Sequence, residues 1–188
     1  MFYSLAKFLI GTYARLRFRY SVTGLDQVPS RGRIIIAANH HSNWDPIFVG
    51  IGINRPLRFM AKMELFQSPL SREIFHRLGA FPVNRGAGDT RAIRSALAIL
   101  NNEEALALFP EGTRVKPGET KDAQNGIALL AAKTKSPVVP VRVWRNGRQV
   151  EVRVGKPVSF QLPLGKSKAD RDDLNNFSQL IMTKIRNL

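Results

Sequence analysis

The sequence predicts a single α/β domain built on a mixed, mostly parallel sheet that is flanked by helices. The first observation is that short apolar runs, typical of buried strands, alternate along the chain with stretches of helical periodicity. Such alternation favours parallel strands, because a helix must return the chain to the same end of the sheet. The second observation is an Asn146-Gly147 pair between two strand-like runs, which predicts a hairpin. With 188 residues, 44% of them hydrophobic, the chain can bury one sizeable core.

The first element is a predicted amphipathic helix over residues 1–20, followed by the α/β domain over 21–188. Its large apolar residues recur at mostly helical spacing, with basic residues between or just after them. No run approaches the roughly 20 apolar residues that a membrane-spanning helix needs. The basic residues follow the apolar stretch, so a signal peptide is not expected. We expect this helix to lie in a membrane interface; the alternative is that it packs on the domain's own core.

The next element is a strand over 33–38, followed by the segment Asn39–Pro46 and the start of a helix. Side chains five positions apart point about 140° away from each other on a helix. His40 and Asp45 therefore meet only if the chain turns between them. Pro46 suits the first helical position and favours an extended, N-cap conformation for Asp45. Asp45 could then hold one ring nitrogen of His40 while the other acts as a base.

Two alternatives remain open for this segment. Asp45 could serve only as a helix cap, with His40 filling a polar loop. Alternatively, His40, His41 and Asp45 could bind a metal ion, although the chain has no cysteine and the spacing is unlike that of common zinc sites.

Two further strand-like runs each end next to an arginine. The run 105–109 is followed by Pro110 and then Glu111–Arg114, in which Gly112 allows a close backbone approach and Arg114 offers a planar fork of donors. The run 80–83 is followed by Asn84-Arg85-Gly86. Ligands of open α/β sheets bind at the carboxyl ends of the strands. The two arginines therefore predict an anionic substrate.

The remaining elements are helices and the hairpin. Thr90 is predicted to cap a helix whose apolar residues share one face, and Ile127, Leu130 and Ala131 mark a second helix. A C-terminal helix follows the polar linker 165–170. Its core-facing stripe consists of Leu174, Phe177, Ile181, Ile185 and Leu188.

Four motifs together resemble the ordered motifs of the glycerolipid acyltransferase family. They are Asn-His-x-Ser-x-x-Asp-Pro at 39–46, the segment 79–85, Phe-Pro-Glu-Gly-Thr-Arg at 109–114 and Val-Val-Pro-Val at 138–141. The resemblance covers roughly residues 24–157. It implies transfer of an acyl group from a thioester, acyl-CoA or acyl-carrier protein, to a hydroxyl of a glycerol phosphate lipid at a membrane surface.

The resemblance also implies roles for individual residues. His40 would be the general base and Asp45 its orienting partner. The acceptor would be bound by the motif residues Glu111, Gly112, Thr113 and Arg114, with Arg85 and Lys62 as further phosphate contacts. Pro140 would shape the pocket wall. The chain departs from the family pattern at 124–127, where Gln-Asn-Gly-Ile stands in place of a lysine before a glycine and an alanine.

Composition restricts the chemistry and the partners. Without cysteine the chain cannot form a cysteine acyl-enzyme, which agrees with direct transfer. We expect no resident cofactor or metal, the thioester being a co-substrate. Lysine and arginine number 29 against 14 acids, a net charge of +15, which concentrates polyanions of any kind. No nucleic-acid-binding motif is present. We therefore expect an anionic membrane as partner, with the protein peripheral or monotopic at the cytoplasmic face.

The expected reaction converts 1-acyl-glycerol 3-phosphate to phosphatidic acid. Glycerol 3-phosphate or another lysophospholipid is the alternative acceptor. The alternative of a different class is a non-catalytic basic module that binds anionic lipid or nucleic acid.

Overall fold

The computed structural model describes residues 2–84, 89–116, 119 and 121–188. Within these residues, seven strands form one sheet in the order β1-β7-β6-β2-β5-β3-β4. The strands are β1 (Arg19–Thr23), β2 (Ile34–Ala38), β3 (Leu57–Lys62), β4 (Ala80–Val83), β5 (Ala105–Leu108), β6 (Val138–Asn146) and β7 (Gln149–Val154). The helices are α1 (Phe2–Arg17), α2 (Asp45–Gly52), α3 (Pro69–Arg77), α4 (Thr90–Asn101), α5 (Gly126–Thr134) and α6 (Arg171–Arg186). The predicted fold class is confirmed.

Strand directions bring the predicted functional segments to one edge of the sheet. Strands β6, β2, β5, β3 and β4 are all parallel, whereas β7 is antiparallel to β6, and β1 pairs with β7 in parallel. The carboxyl ends of β2, β3, β4 and β5 therefore lie along the same side, which we call the C-terminal edge. The segments that begin at Asn39, Met63, Asn84 and Phe109 all start there.

Two hydrophobic cores lie on opposite faces of the sheet. Strand β2 is apolar at every position because both of its faces are buried: Ile34 and Ile36 point into the first core and Ile35 into the second. Helices α1 and α2 cover the first core, and α4, α5 and α6 cover the second. Most of the predicted stripe of the C-terminal helix is confirmed: Phe177, Ile181 and Ile185 are buried in the second core and Leu174 packs against it, whereas Leu188 lies beyond the end of α6.

Helix α1 packs closely on the domain through two small buried residues and exposes six large apolar side chains on its outward face. Gly11 and Ala14 are buried, and a Cβ on Gly11 would lie 3.8 Å from Ile51 of α2. The Lys7 ammonium donates a hydrogen bond to the Ile53 carbonyl at the end of α2. The exposed large residues are Phe2, Leu5, Phe8, Leu9, Tyr13 and Leu16, between 41% and 75% accessible. The outward face of α1 is therefore apolar.

The length of α1 differs from the predicted 1–20. The helix ends at Arg17, Phe18 is buried in the first core and Arg19 begins β1. Across the described residues, no helix combines the length and the apolar character needed to cross a bilayer.

Two local predictions were wrong by one residue. Asp89, not Thr90, caps α4, because its carboxylate accepts hydrogen bonds from the backbone N–H groups of Arg91 and Ala92. In the hairpin, Asn146 pairs with Gln149, so the two-residue turn is Gly147-Arg148. Gly147 has a φ of 56°, which suits the first position of a type II′ turn.

Candidate active site at the C-terminal edge

The turn between β2 and α2 brings His40 and Asp45 together. Nδ1 of His40 lies 3.1 Å from Oδ2 of Asp45, and the two residues are 7% and 3% exposed. The same carboxylate oxygen accepts hydrogen bonds of 2.6 Å from the backbone N–H groups of His41 and Ser42. One buried carboxylate thus holds both the turn and the imidazole ring.

Asp45 does not occupy the predicted N-cap position. The N-cap is Trp44, in a helical conformation, while Asp45 is the first helical residue and Pro46 the second. The Asp45 side chain reaches backward into the turn instead of forward along the helix. The Ser42 hydroxyl accepts the backbone N–H of Trp44 at 3.0 Å, which makes it a structural group.

The chain after β5 holds His40 from the other side. The backbone N–H of His40 donates to Oε2 of Glu111 at 2.7 Å, and the His40 carbonyl accepts the N–H of Val115 at 2.8 Å. The imidazole stacks on the ring of Phe109, with centroids 4.4 Å apart. Among the described residues, Nε2 is the one ring nitrogen of His40 that takes no hydrogen bond. Its proton-accepting position is therefore left open.

Asn39 anchors the start of the turn to the neighbouring strand. It is buried, donates from Nδ2 to the Val143 carbonyl at 2.9 Å and accepts the Val143 N–H through Oδ1 at 2.7 Å. The side chain continues the β2–β6 ladder beyond its last backbone pair, Ala38 with Val141. It therefore fixes the point at which the chain leaves the sheet.

Glu111 is a buried acid with a perturbed pKa. It is 3% exposed, and this burial raises the pKa of its carboxyl above the ordinary value of 4.5. The hydrogen bond from the His40 backbone and the nearby His41, His40 and Arg186 side chains offset part of that rise.

A cavity of about 630 Å³ extends from His40 between the sheet and the second helical layer. This volume is within the usual range of small-molecule sites, about 300–1,000 Å³. The lining is mainly apolar and comes from β3, β4, β5, α4 and α5: Met60, Val83, Ala92, Ile93, Ala107, Leu108, Phe109, Ile127, Leu129 and Leu130. The polar lining residues besides His40 include Asn84, Asp89, Thr113 and Gln124.

The residues predicted to bind the acceptor fall into distinct places. Gly112 and Thr113 line the cavity together with His40, and the Thr113 hydroxyl accepts a hydrogen bond of 2.9 Å from Lys121. Arg114 is exposed beside them, and Lys62 is half-buried at the end of β3; neither lines the cavity. Arg85 lies outside the described residues.

Three features of the site were missed or misplaced by sequence reasoning. Pro140 does not line the cavity, because it lies within β6 and pairs with Ala37. Gln124, at the point of departure from the family pattern, lies against Gly112, where a Cβ would be 2.3 Å from its amide nitrogen. The support of His40 by Glu111 carries no local sequence signal, since it joins two segments 71 positions apart.

The metal alternative gains no geometric support from the described residues. Within them, no group of three or more histidine or acidic side chains is arranged to hold a metal ion. The shared Asp45 oxygen is already occupied by the His40 ring and two backbone N–H groups.

The chain is similar in sequence to known proteins. The sequence model of the Acyltransferase family matches residues 19–144. The chain is 30% identical over 132 residues to the 1-acyl-sn-glycerol-3-phosphate acyltransferase of Borreliella burgdorferi, covering 66% of this chain and 51% of the relative. It is 32% identical over 120 residues to the lyso-ornithine lipid O-acyltransferase of Pseudomonas aeruginosa, covering 63% and 44%. The chain thus spans about half the length of these curated relatives.

A solved structure gives a likeness over nearly the whole chain. The crystal structure of the 1-acyl-sn-glycerophosphate acyltransferase PlsC from Thermotoga maritima superposes with a TM-score of 0.73 at 25% identity. The superposition covers 98% of this chain and 80% of that one.

Proposed function

This chain belongs to the acyltransferase family, and from that membership and the geometry of its site we propose that it acylates 1-acyl-glycerol 3-phosphate to phosphatidic acid. The single observation that carries the proposal is the environment of His40. Its ring is held by Asp45 at Nδ1 and by Phe109 on one face, which leaves Nε2 available beside an apolar cavity. This is the arrangement required of an oriented general base.

In the proposed reaction, Nε2 of neutral His40 removes the proton of the acceptor hydroxyl as its oxygen attacks the thioester carbonyl carbon. The carbon–sulfur bond of the tetrahedral intermediate then breaks, and the thiolate leaves with the proton carried by His40. The products are the new oxygen ester and a free thiol. Asp45 stays ionised throughout and stabilises the transient imidazolium through Nδ1–H.

The acyl chain fits the apolar cavity between the sheet and helices α4 and α5. Its lining is supplied mainly by aliphatic side chains, and His40, Thr113 and Gln124 are among its polar lining residues. A thioester whose carbonyl lies next to His40 would place its alkyl chain against the aliphatic lining. The donor is an acyl-CoA or an acyl-carrier protein, and no other cofactor takes part.

The acceptor phosphate is assigned to the basic residues near the strand ends. Arg114 follows the cavity-lining Gly112 and Thr113, and its guanidinium suits bidentate phosphate contacts. Lys62 and Arg85 are the further candidates proposed from the family motifs. We also propose that Glu111, which lies in the same loop after β5 as Arg114, contributes to acceptor binding.

The substrates are lipids, and we propose that the protein works as a peripheral or monotopic enzyme on an anionic membrane at its cytoplasmic face. The apolar outward face of α1 supports this proposal. Further exposed apolar side chains lie in the segment after β3, in a 3₁₀ turn and α3: Met63, Leu65, Leu70 and Ile74. A net charge of +15 adds attraction to anionic headgroups.

The deciding experiment is a reaction matrix with purified protein. Acyl-CoA and acyl-carrier-protein donors of several chain lengths are paired with 1-acyl-glycerol 3-phosphate, glycerol 3-phosphate, other lysophospholipids and lyso-ornithine lipid, and the products are read by mass. The proposal predicts phosphatidic acid from 1-acyl-glycerol 3-phosphate at the highest kcat/KM. If no donor–acceptor pair gives a product, the proposal is rejected in favour of a non-catalytic module that binds lipid.

The lyso-ornithine acceptor is included for a specific reason. One relative at 32% identity carries that activity in its name. A higher kcat/KM with that acceptor would reassign the substrate while leaving the roles of His40 and Asp45 unchanged.

A further inference from the structure

Five arginines from three segments belong to the last turn of α1, the start of β1 and the β6–β7 hairpin, which is hydrogen-bonded to the end of α1. Arg15 and Arg17 belong to the last turn of α1, Arg19 begins β1, and Arg145 and Arg148 lie at the β6–β7 hairpin. We call these five residues the arginine rim. All five are exposed, and none forms an ion pair with another described residue.

The rim is built by specific contacts and does not result from chance proximity along the sequence. Arg148 donates from Nε to the Arg17 carbonyl at 3.0 Å and from Nη2 to the Leu16 carbonyl at 3.3 Å. The backbone N–H of Arg19 donates to the Arg148 carbonyl at 2.7 Å. The hairpin is therefore fastened to the end of α1.

Two guanidiniums of the rim share one aromatic ring. The central carbons of Arg17 and Arg145 lie 5.2 and 5.1 Å from the ring centroid of Phe18, which is 4% exposed. Cation–π attraction holds each guanidinium there, while the two like charges repel each other. An anionic group bound near both would relieve that repulsion.

The rim adjoins the exposed apolar face of α1. Leu16 belongs to the last turn of α1 and is 75% exposed, and its carbonyl accepts the hydrogen bond from Arg148. The exposed Tyr13 lies about one turn earlier in the helix. An apolar surface bordered by arginines matches the acyl boundary and the headgroup layer of an anionic bilayer. A nucleic-acid duplex exposes phosphates and offers no acyl layer in which the exposed leucines beside the charges could be buried.

We propose that the arginine rim is an anionic-lipid docking surface, in which the β6–β7 hairpin acts with α1 as a second point of membrane attachment. This proposal rests on the membrane association proposed above. Its consequence is an orientation: Tyr13 stacks on Trp44 of the catalytic turn, with ring centroids 6.3 Å apart, so a membrane at the rim lies close to the C-terminal edge. The lipid acceptor would then reach His40 with little exposure to water.

The test compares binding to vesicles of zwitterionic lipid with and without anionic phospholipid, at several salt concentrations. We expect Arg145→Ala with Arg148→Ala to weaken binding to anionic vesicles about 30-fold, since each surface arginine contributes about fivefold. The matched control is Lys168→Ala with Arg171→Ala, and it should bind like the wild type. Arg171 is the first residue of α6, the helix that covers the second core, and Lys168 lies in the linker just before it; both are exposed.

A second variant separates charge from structure. Arg145→Lys with Arg148→Lys retains both charges but not the guanidinium contacts with the α1 carbonyls. Binding within about threefold of the wild type would support electrostatic docking. Binding as weak as that of the alanine variant would overturn it. The proposal would also be overturned if the alanine variant lost as much affinity for a short DNA duplex as it lost for anionic vesicles.

The two levels of proposal fail differently. If the wild type itself does not bind anionic vesicles, membrane association is rejected. If the wild type binds and the double alanine variant binds equally well, the rim proposal alone is rejected.

Discussion

The backbone N–H of His40 donates a hydrogen bond of 2.7 Å to the buried carboxyl of Glu111. This contact joins the turn after β2 to the loop after β5, two strands that are neighbours in the sheet but distant in sequence. The backbone of the candidate base is therefore held in place by Glu111, a residue that the family resemblance assigns to acceptor binding. The predictions below begin with the base itself and return to this contact.

Replacing His40 should remove activity without unfolding the protein. We expect His40→Ala to lower kcat by at least about 10²-fold, the usual contribution of a general base, with an unchanged circular dichroism spectrum. The matched control is His41→Ala, because His41 is exposed and bonds through its ring to the Val115 carbonyl. Comparable losses in both variants would contradict the assignment.

Asp45 and His40 should behave as one unit. Asp45→Asn retains an oxygen for the N–H groups of His41 and Ser42 but loses the charge that stabilises the imidazolium, so we expect kcat to fall about 10²–10⁴-fold. The double variant His40→Ala/Asp45→Asn should be no worse than His40→Ala alone. Additive losses, measured by single-turnover kinetics, would show that the two side chains act independently.

Glu111 should make stability depend on pH. Because burial raises the pKa of the folded-state carboxyl, the folded protein binds more protons than the unfolded chain, and the free energy of unfolding falls as pH rises above about 4.5. Glu111→Gln can still accept the His40 N–H and does not titrate. We therefore expect its Tm to match the wild type below that pH and to exceed it progressively above.

The control for Glu111 is the alanine variant, which leaves the His40 N–H buried without its acceptor. We expect Glu111→Ala to be about 1–3 kcal/mol less stable than Glu111→Gln in urea unfolding at every pH, because neither variant titrates at this position. Parallel Tm curves for the glutamine variant and the wild type would mean that Glu111 is not the titrating group. The acceptor KM of the glutamine variant tests its proposed part in acceptor binding.

Arg114 should act on acceptor binding more than on turnover. We expect Arg114→Ala to raise the acceptor KM about tenfold with a smaller change in kcat, as for a contact made equally in the ground and transition states. Arg94→Ala, an exposed arginine on α4, is the control. An unchanged KM would place the phosphate contact on Lys62 or Arg85.

The outward leucines of α1 should anchor the protein to vesicles. We expect Leu9→Asp and Leu16→Asp each to weaken binding about tenfold or more, because an apolar side chain in the acyl boundary is replaced by a charge. Leu180→Asp is the control, since Leu180 is similarly exposed on α6, on the opposite layer. Point variants are preferable to deleting residues 1–20, because that deletion would also remove the buried Phe18 and the start of β1.

Local patterns predicted the elements of this fold well, because apolar runs and helical periodicity record which faces must be buried. Their exact ends were less certain. The cap of α4 is Asp89 where Thr90 was predicted, and the hairpin turn is Gly147-Arg148 where Asn146-Gly147 was predicted. Several neighbouring residues suit each of these positions, and only the packing of the whole chain selects one.

The sequence alone determined the α/β class and offered the pairing of His40 with Asp45 as one of three interpretations of its turn, because both depend on short-range order: strand, turn and helix follow within a few residues. Tertiary structure decided what surrounds that pair. Glu111, Phe109 and Val115 reach His40 because β2 and β5 are adjacent in the sheet, and Arg145 and Arg148 reach α1 because β7 pairs with β1. Strand order is a property of the whole folded chain, so no local pattern contains it.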